Sequence, residues 1–257
     1  MISGSGNPLV SNDNNKLPRH IAIIMDGNNR WSKQQNNSQL SGHRAGAIQA
    51  RSITNYCADL NIEYLTLFVF SSENWLRPRK EVNGLMALFL SVLQRQEINK
   101  LHARNIKINF IGDRNRFPRK LREHMQAAMD LTRHNTGLTV NVAANYGGRW
   151  DIAQAAKTAA AKVQQGELAL ADVTENLLQN YISMGNIPEP DLCIRTGGEK
   201  RISNFLLWQF AYTELYFTDI YWPDFTEAEL DKALRDYAKR QRRFGMVSEQ
   251  IESDHVG

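Results

Sequence analysis

The chain has 257 residues, 42% of them hydrophobic and 23% charged, with a formal net charge of +4. That length and apolar content suit one α/β domain with a large core, and no apolar run approaches the ~20 residues of a membrane span. The mild positive excess permits an anionic substrate or membrane surface and demands neither, while two lone cysteines, Cys57 and Cys193, fit reduced thiols in the cytosol.

The start, "MISGSGNPLVSNDNNK", is rich in Asn, Ser and Gly and lacks the basic start and apolar stretch of a signal peptide. It reads as a flexible tail over 1–17, matched by a second tail over 246–257, with one domain over 18–245 between them. The first strand is "HIAIIM" (20–25), followed by a helix over "AGAIQARSITNYCADLN" (45–61) and a strand over "YLTLFVF" (64–70). Next comes one long helix over 81–104, in which Val82, Leu85, Met86, Phe89 and Leu93 keep the 3,4 spacing of an apolar stripe. "IKINFI" (106–111) and "LTVNVAA" (138–144) are strands around a helix at 115–134. Helices at 151–165 and 174–182 lead to a strand over "DLCIR" (191–195), a short strand within "TELYFTDIYW" (213–222) and a helix at 226–243. This alternation predicts a mostly parallel six-stranded sheet flanked by helices on both faces.

Ligands of open α/β sheets sit outside the carboxyl ends of the strands. Four strand ends carry long runs drawn from Gly, Asn, Ser and Arg: 26–31, 71–77, 145–149 and 195–201. Arginine forks pair with phosphate oxygens, glycines let backbone N–H groups approach them, and a carboxylate such as Asp26 holds Mg²⁺ bridged to phosphate. Together they point to a diphosphate site. No Walker loop, no G-x-G-x-x-G after a strand and no D-x-D is present, which excludes the common nucleotide folds and the aspartate-rich isoprenoid synthases. Phe68, Val69 and Phe70 beside the loops, with Leu88 and Leu90 off the main stripe of the long helix, suit an apolar substrate tail.

"MDGNNRW", "GHRAG", "LTLFVFSSENWLRP", "NVAANYGGRWDI", "DLCIRTGGEKRISNFLLWQ" and "ELYFTD" follow one another in a single register from about residue 18 to 245. In these motifs the chain resembles the cis-prenyltransferases, and within them the bacterial undecaprenyl diphosphate synthases. The resemblance implies a parallel sheet with an apolar tunnel, a homodimer and Mg²⁺. It implies extension of farnesyl diphosphate by repeated cis condensation with isopentenyl diphosphate, giving a long-chain polyprenyl diphosphate that serves cell-wall polysaccharide synthesis. The expected location is cytoplasmic, peripheral to the inner face of the membrane into which the product partitions.

Carried over motif by motif, Asp26 is the catalytic, metal-linked acid and Glu214 a second metal contact. Gly27, Asn28, Asn29, Arg30, Trp31 and His43 belong to the allylic substrate's site. Ser71, Asn74, Trp75 and Arg77 organise the reacting ends, Asn74 counted as catalytic, with Glu81 at the start of a mobile helix. Arg195, Arg201 and Ser203 hold isopentenyl diphosphate, and Val69, Ile106 and Leu138 line the tunnel, the last two at its floor. The diphosphates themselves are the nearest bases, and no protein general base is assigned.

Two departures stand out. The family has Gly where this chain has Asn29, a residue that tolerates left-handed backbone. It has Arg where this chain has Gln39, a missing fork that Lys33 or Arg44 would have to replace. A non-catalytic partner subunit of the same fold is the competing reading, opposed by the intact Asp26 and "RTGGEKR". The basic stretch "RDYAKRQRRFG" (235–245) is the best sign of a nucleic-acid module, but no binding motif accompanies it, and no nucleic-acid partner is expected.

Overall fold

Strand β1 (His20–Ile24) is buried along its whole length, as the central strand of a parallel sheet must be. The computed structural model describes residues 17–240; the two tails except Leu17, the domain's last residues 241–245 and the expected helix end at 241–243 lie outside the described residues. In chain order the sheet strands are β1, β2 (Tyr64–Ser71), β3 (Lys107–Ile111), β4 (Thr139–Tyr146), β5 (Leu192–Arg195) and β6 (Glu214–Phe217). They lie side by side as β3-β4-β2-β1-β5-β6, every neighbouring pair parallel.

The period-2 pattern of β1 divides the core. Ile21 and Ile23 pack with Ile53, Leu65 and Leu230 on one face, while Ala22 and Ile24 pack with Tyr146, Phe205 and Leu206 on the other. Cys57 belongs to the first cluster and Cys193 to the second, so the sheet separates them. Burial pushes the Cys57 thiol up to about 12 and the Cys193 thiol up as well, which keeps both protonated and unreactive. No helix among the described residues is long and apolar enough to cross a membrane.

Among the described residues the helices are α1 (Asn28–Gln34), α2 (Gln39–Asp59), α3 (Arg79–Val92), α4 (Arg95–Ala103), α5 (Arg119–Thr132), α6 (Gly148–Gln164), α7 (Glu175–Gln179) and α8 (Glu227–Ala238). Three differ from expectation. The segment 28–34, read as a loop, is helical, because Gly27 at φ 104° turns the chain and its carbonyl accepts the Trp31 N–H at 2.9 Å. Helix α2 starts at Gln39 rather than 45, so "GHRAG" is helical. Gly46 is small because a Cβ there would sit 2.2 Å from Asn28 Oδ1.

The expected helix 81–104 breaks between α3 and α4, where Gln94 is extended. After Leu93, the same helical phase would bring Gln96 and Lys100 inward. The break slips the phase, so that Ile98 and Leu101 face the core instead.

His20 shows how costly the buried polar groups are. Its neutral ring donates Nδ1–H to Pro188 O and accepts the Thr66 hydroxyl at Nε2, both at 2.7 Å. Burial lowers its pKa to about 4 from 6.5. The unfolded chain therefore binds this proton more readily, and stability is lost as pH falls from 6.5 towards 4. Between pH 7 and 5 the loss from this group is about 2 kcal/mol. Urea midpoints at the two pH values should show a smaller drop in His20→Asn than in the wild type. Equal drops would remove His20 from the account.

Candidate active site

Strands β1 and β5 end level with one another, Ile24 pairing with Arg195, while β2 pairs with Ile24 at Phe68 and runs on to Ser71. The residues just beyond them therefore converge. They frame a cavity of about 810 Å³ that is polar at the strand ends and apolar further in.

Asp26 sits at the centre of the polar end. Its Oδ2 accepts from Arg195 Nη2 at 2.9 Å, and its Oδ1 accepts from the Gly27 N–H at 2.6 Å and lies 3.3 Å from Arg30 Nη2. Burial pulls the Asp26 pKa up. The Arg195 and Gly27 hydrogen bonds and the charges of Arg195 and Arg30 outweigh it, so the carboxyl sits below its ordinary range and is ionised at neutral pH. The backbone is fixed as firmly: Thr196 Oγ1 accepts from Asp26 N at 3.0 Å and donates to Asp26 O at 2.7 Å.

Arg195 is almost fully buried. Its Nη1 donates to Ser203 Oγ at 2.7 Å and to the Arg201 carbonyl at 2.5 Å, while its Nε has no partner. Ser203 and Asn204 both adopt positive φ without being glycine, a strained turn that folds the loop back over Arg195. Glu199 lies 3.6 Å from Arg30 and 2.5 Å from Arg201, tying the first loop to the fifth.

On the other side, Asn74 Oδ1 accepts from the Ser71 N–H at 3.0 Å, which closes the turn 72–76. Arg77 pairs with Glu81 at 2.9 Å, and His43 Nε2 lies 4.0 Å from the same carboxylate. Burial and the Arg77 charge lower the His43 pKa, only partly offset by Glu81, so the ring is neutral at pH 7. Its buried Nε2 has no hydrogen-bond partner, and neither do Asn28 Oδ1 and Asn29 Oδ1. Unpaired polar atoms at a cavity wall are groups that a polar ligand would satisfy.

Of the expected site residues, Asp26, Gly27, Asn28, Asn29, Arg30, His43, Val69, Ser71, Asn74, Arg77, Arg195, Arg201 and Ser203 line this cavity. Others are placed elsewhere. Trp31 Nε1 donates to Asp224 Oδ1 at 2.8 Å, off the cavity wall, and Trp75 packs on Phe70 and Phe117 with its Nε1 on Asn145 Oδ1. Glu81 stands behind Arg77 and His43. Glu214 lies at the opposite end of the sheet, since it pairs with Leu192 while Arg195 pairs with Phe217, and its carboxylate is held by Arg240 at 2.8 Å. One chain alone does not bring Glu214 to Asp26.

Of the expected tunnel residues, Val69 lines the cavity. Its lining on β3 and β4 is Ile108, Phe110, Val140 and Val142. Ile106 and Leu138 lie one pleat further on the same faces, buried beneath the lining rather than in it.

Asn29 needs no left-handed backbone, because it lies within α1 and the positive φ falls on Gly27. Lys33, Arg44 and Gln39 do not line the cavity. The run 145–149 braces the site instead of lining it: Gly148 N donates to Asn204 O at 2.6 Å and Arg149 N to Asn204 Oδ1 at 2.9 Å. Asn204 in turn donates to Glu73 Oε1 at 2.8 Å. Glu73, Asn204, Arg51 and Glu97 all line the cavity and were missed. The first two sit inside quoted motifs, and a charged residue beside a strand end was the available signal.

Among the described residues no three or more His, Cys, Asp or Glu side chains group to cage a metal. Asp26 stands between Arg30 and Arg195, a position that fits Mg²⁺ shared with a substrate's phosphate oxygens rather than held by protein alone.

Comparison with known proteins agrees with this arrangement. The family model described as "Putative undecaprenyl diphosphate synthase" matches residues 24–245. The chain is 54% identical over 237 residues to a ditrans,polycis-undecaprenyl-diphosphate synthase ((2E,6E)-farnesyl-diphosphate specific) from Pseudomonas putida, covering 92% of this chain and 94% of the relative. It is 51% identical over 235 residues to an isoprenyl transferase from Neisseria gonorrhoeae, covering 91% and 92%. Its fold is similar to the crystal structure of lavandulyl diphosphate synthase from Lavandula x intermedia in complex with dimethylallyl diphosphate, with TM-score 0.87 and 37% identity over 90% of this chain and 99% of that one. With motifs, parallel sheet and cavity all in place, the chain belongs to the cis-prenyltransferase family.

Proposed function

We propose that this chain condenses farnesyl diphosphate with successive isopentenyl diphosphates to build a long-chain, undecaprenyl-type diphosphate for cell-wall synthesis. The observation that carries the reading is the junction at Asp26. A cradle of buried and half-buried arginines opens directly into an apolar cavity, which suits a ligand with a diphosphate head and a hydrocarbon tail. The names of the relatives support the same substrates.

Arg30, His43, Arg77 and the Asn28 side of α1 face the allylic diphosphate, while Arg195, Arg201 and Ser203 hold the second diphosphate. Asp26 would hold Mg²⁺ together with the bound diphosphate, and the ion would supply charge neutralisation as the allylic C–O bond breaks. The arginines are preorganised for the departing diphosphate because their partners fix them before substrate binds. The apolar walls keep water from the allylic cation. Asn74 is placed to orient, since an amide is no base at neutral pH, and the proton lost after C–C bond formation passes to a diphosphate. A homodimer, a second metal contact through Glu214 and peripheral attachment to a membrane belong to the same proposal. A non-catalytic subunit would have no need of the Asp26–Arg195 pair.

Arg195→Ala is the test. Losing a charge-assisted bond in a partly closed site costs roughly 1.5–3 kcal/mol, or ten- to more than a hundredfold. The Michaelis constant for isopentenyl diphosphate should rise by that factor and the constant for farnesyl diphosphate by less. Equal effects on the two substrates would contradict the assignment of the loop.

A further inference from the structure

Along α2, residues 43, 46, 47, 50, 51 and 54 line the cavity at the 3,4 spacing of one helical face. Half of this face is small: Gly46, Ala47 and Ala50 leave the room that the cavity occupies. Arg51 breaks the pattern. It reaches across to Glu97 in the first turn of α4, and the two form an ion pair at the cavity wall. Lys100 Nζ holds the same carboxylate at 3.0 Å. A polar closure in an otherwise apolar part of the wall calls for an explanation.

The pair differs from the floor in exposure. Its side chains are 41% and 23% exposed, and Val92 at the end of α3 both lines the cavity and reaches solvent. Ile106 and Leu138 beneath the floor are buried at 0% and 4%. A half-exposed ion pair contributes little, because water screens it and two long side chains must be held still. Displacing a packed apolar layer costs far more. An apolar chain growing into the cavity therefore meets its weakest barrier at this seam, not at the floor. Beyond the seam Arg104, just past the end of α4, pairs with Asp59 at the end of α2, a tie as exposed as the first.

We infer that the Arg51–Glu97 pair is a side latch between α2 and α4, through which the tail of the growing prenyl chain leaves the cavity, and that its strength helps set product length. The latch rests on the proposed reaction. Growth up to the floor needs no opening; growth beyond it does. Weakening the pair should favour longer chains, and restoring it with the charges exchanged should bring the original lengths back.

The test compares the wild type, Glu97→Gln, Arg51→Met and the double variant Arg51→Glu/Glu97→Arg. Each full-length protein is first checked for an unchanged thermal midpoint, then supplied with farnesyl diphosphate and excess isopentenyl diphosphate. Dephosphorylated products are separated by reversed-phase chromatography. Each single variant should shift the main product up by at least one isoprene unit, and the double variant should return it. Unchanged lengths in both single variants, or a shift that the exchanged pair does not reverse, would overturn the latch while leaving the reaction in place. If the wild type elongated nothing, the reading of the active site would fail and the latch with it.

Discussion

Asp26→Ala is expected to reduce turnover by at least about a thousandfold, more than removal of a single transition-state donor usually costs. The residue serves three groups at once. Its Oδ2 neutralises the buried Arg195, its Oδ1 sits against Arg30, and in the proposed reaction the carboxylate would hold Mg²⁺. Alanine removes the acid that lies between Arg195 and Arg30, and in the proposed reaction it would also remove a protein contact of Mg²⁺.

The fold should survive this change. Asp26 is about a third exposed, so breaking its pair with Arg195 costs roughly 1–2 kcal/mol, below the 3–5 kcal/mol of a fully buried pair. Arg195 also keeps Ser203 and the Arg201 carbonyl as partners. Circular dichroism should be unchanged while steady-state turnover collapses. Asp26→Asn separates charge from shape: its amide can still occupy the turn, so a loss close to that of alanine would assign the effect to the carboxylate charge. Turnover of Asp26→Ala within tenfold of the wild type would end the assignment.

The tunnel carries the second large effect. Each isoprene unit brings five carbons into apolar surroundings, and burying a CH₂ is worth ~0.8 kcal/mol, so binding improves by about 4 kcal/mol per unit. Elongation therefore stops where side chains block the way, not where affinity runs out. Leu138 lies directly beneath Val140 on the lining face of β4, buried with Ile106 at its side. Leu138→Ala opens space under the floor and should lengthen the products, at a stability cost of about 2–5 kcal/mol. Val69 projects into the cavity from β2. Val69→Leu adds a methylene to that wall and should shorten the products, at about 1–3 kcal/mol of overpacking. Chromatography of dephosphorylated products decides the matter: if both variants lose rate and stability with the length profile intact, neither residue bounds the tunnel.

The strands were legible in the sequence because a buried parallel strand is a short apolar run, and four of these runs lead into stretches rich in Gly, Asn, Ser and Arg. That pattern, with the motifs in register, was enough to bring Asp26, Arg30, Ser71, Asn74 and Arg195 to one sheet edge, since parallel strands all present their carboxyl ends on the same side. Periodicity is local, however, and it stops where one element must fit another. Helix α1 has no apolar stripe; it forms because Gly27 turns the chain and α2 offers it a glycine surface. Helices α3 and α4 share an unbroken helical composition, yet the chain breaks at Gln94 because only a phase slip buries Ile98.

The same holds for side chains. Trp31 and Trp75 belong to the quoted motifs, but their indole N–H groups need partners, and Asp224 and Asn145 supply them away from the cavity wall. The run 145–149 looks like a ligand loop and instead braces Asn204 from behind. Arg51 and Glu97 lie 46 residues apart, and no spacing rule joins them; they meet only because α2 and α4 flank the same cavity. The sequence by itself determined the strands, the sheet edge and the chemistry gathered there, since these follow from residue type and order. Only the tertiary structure decided which of those residues face the cavity and which stand behind it, because that depends on packing between elements distant along the chain.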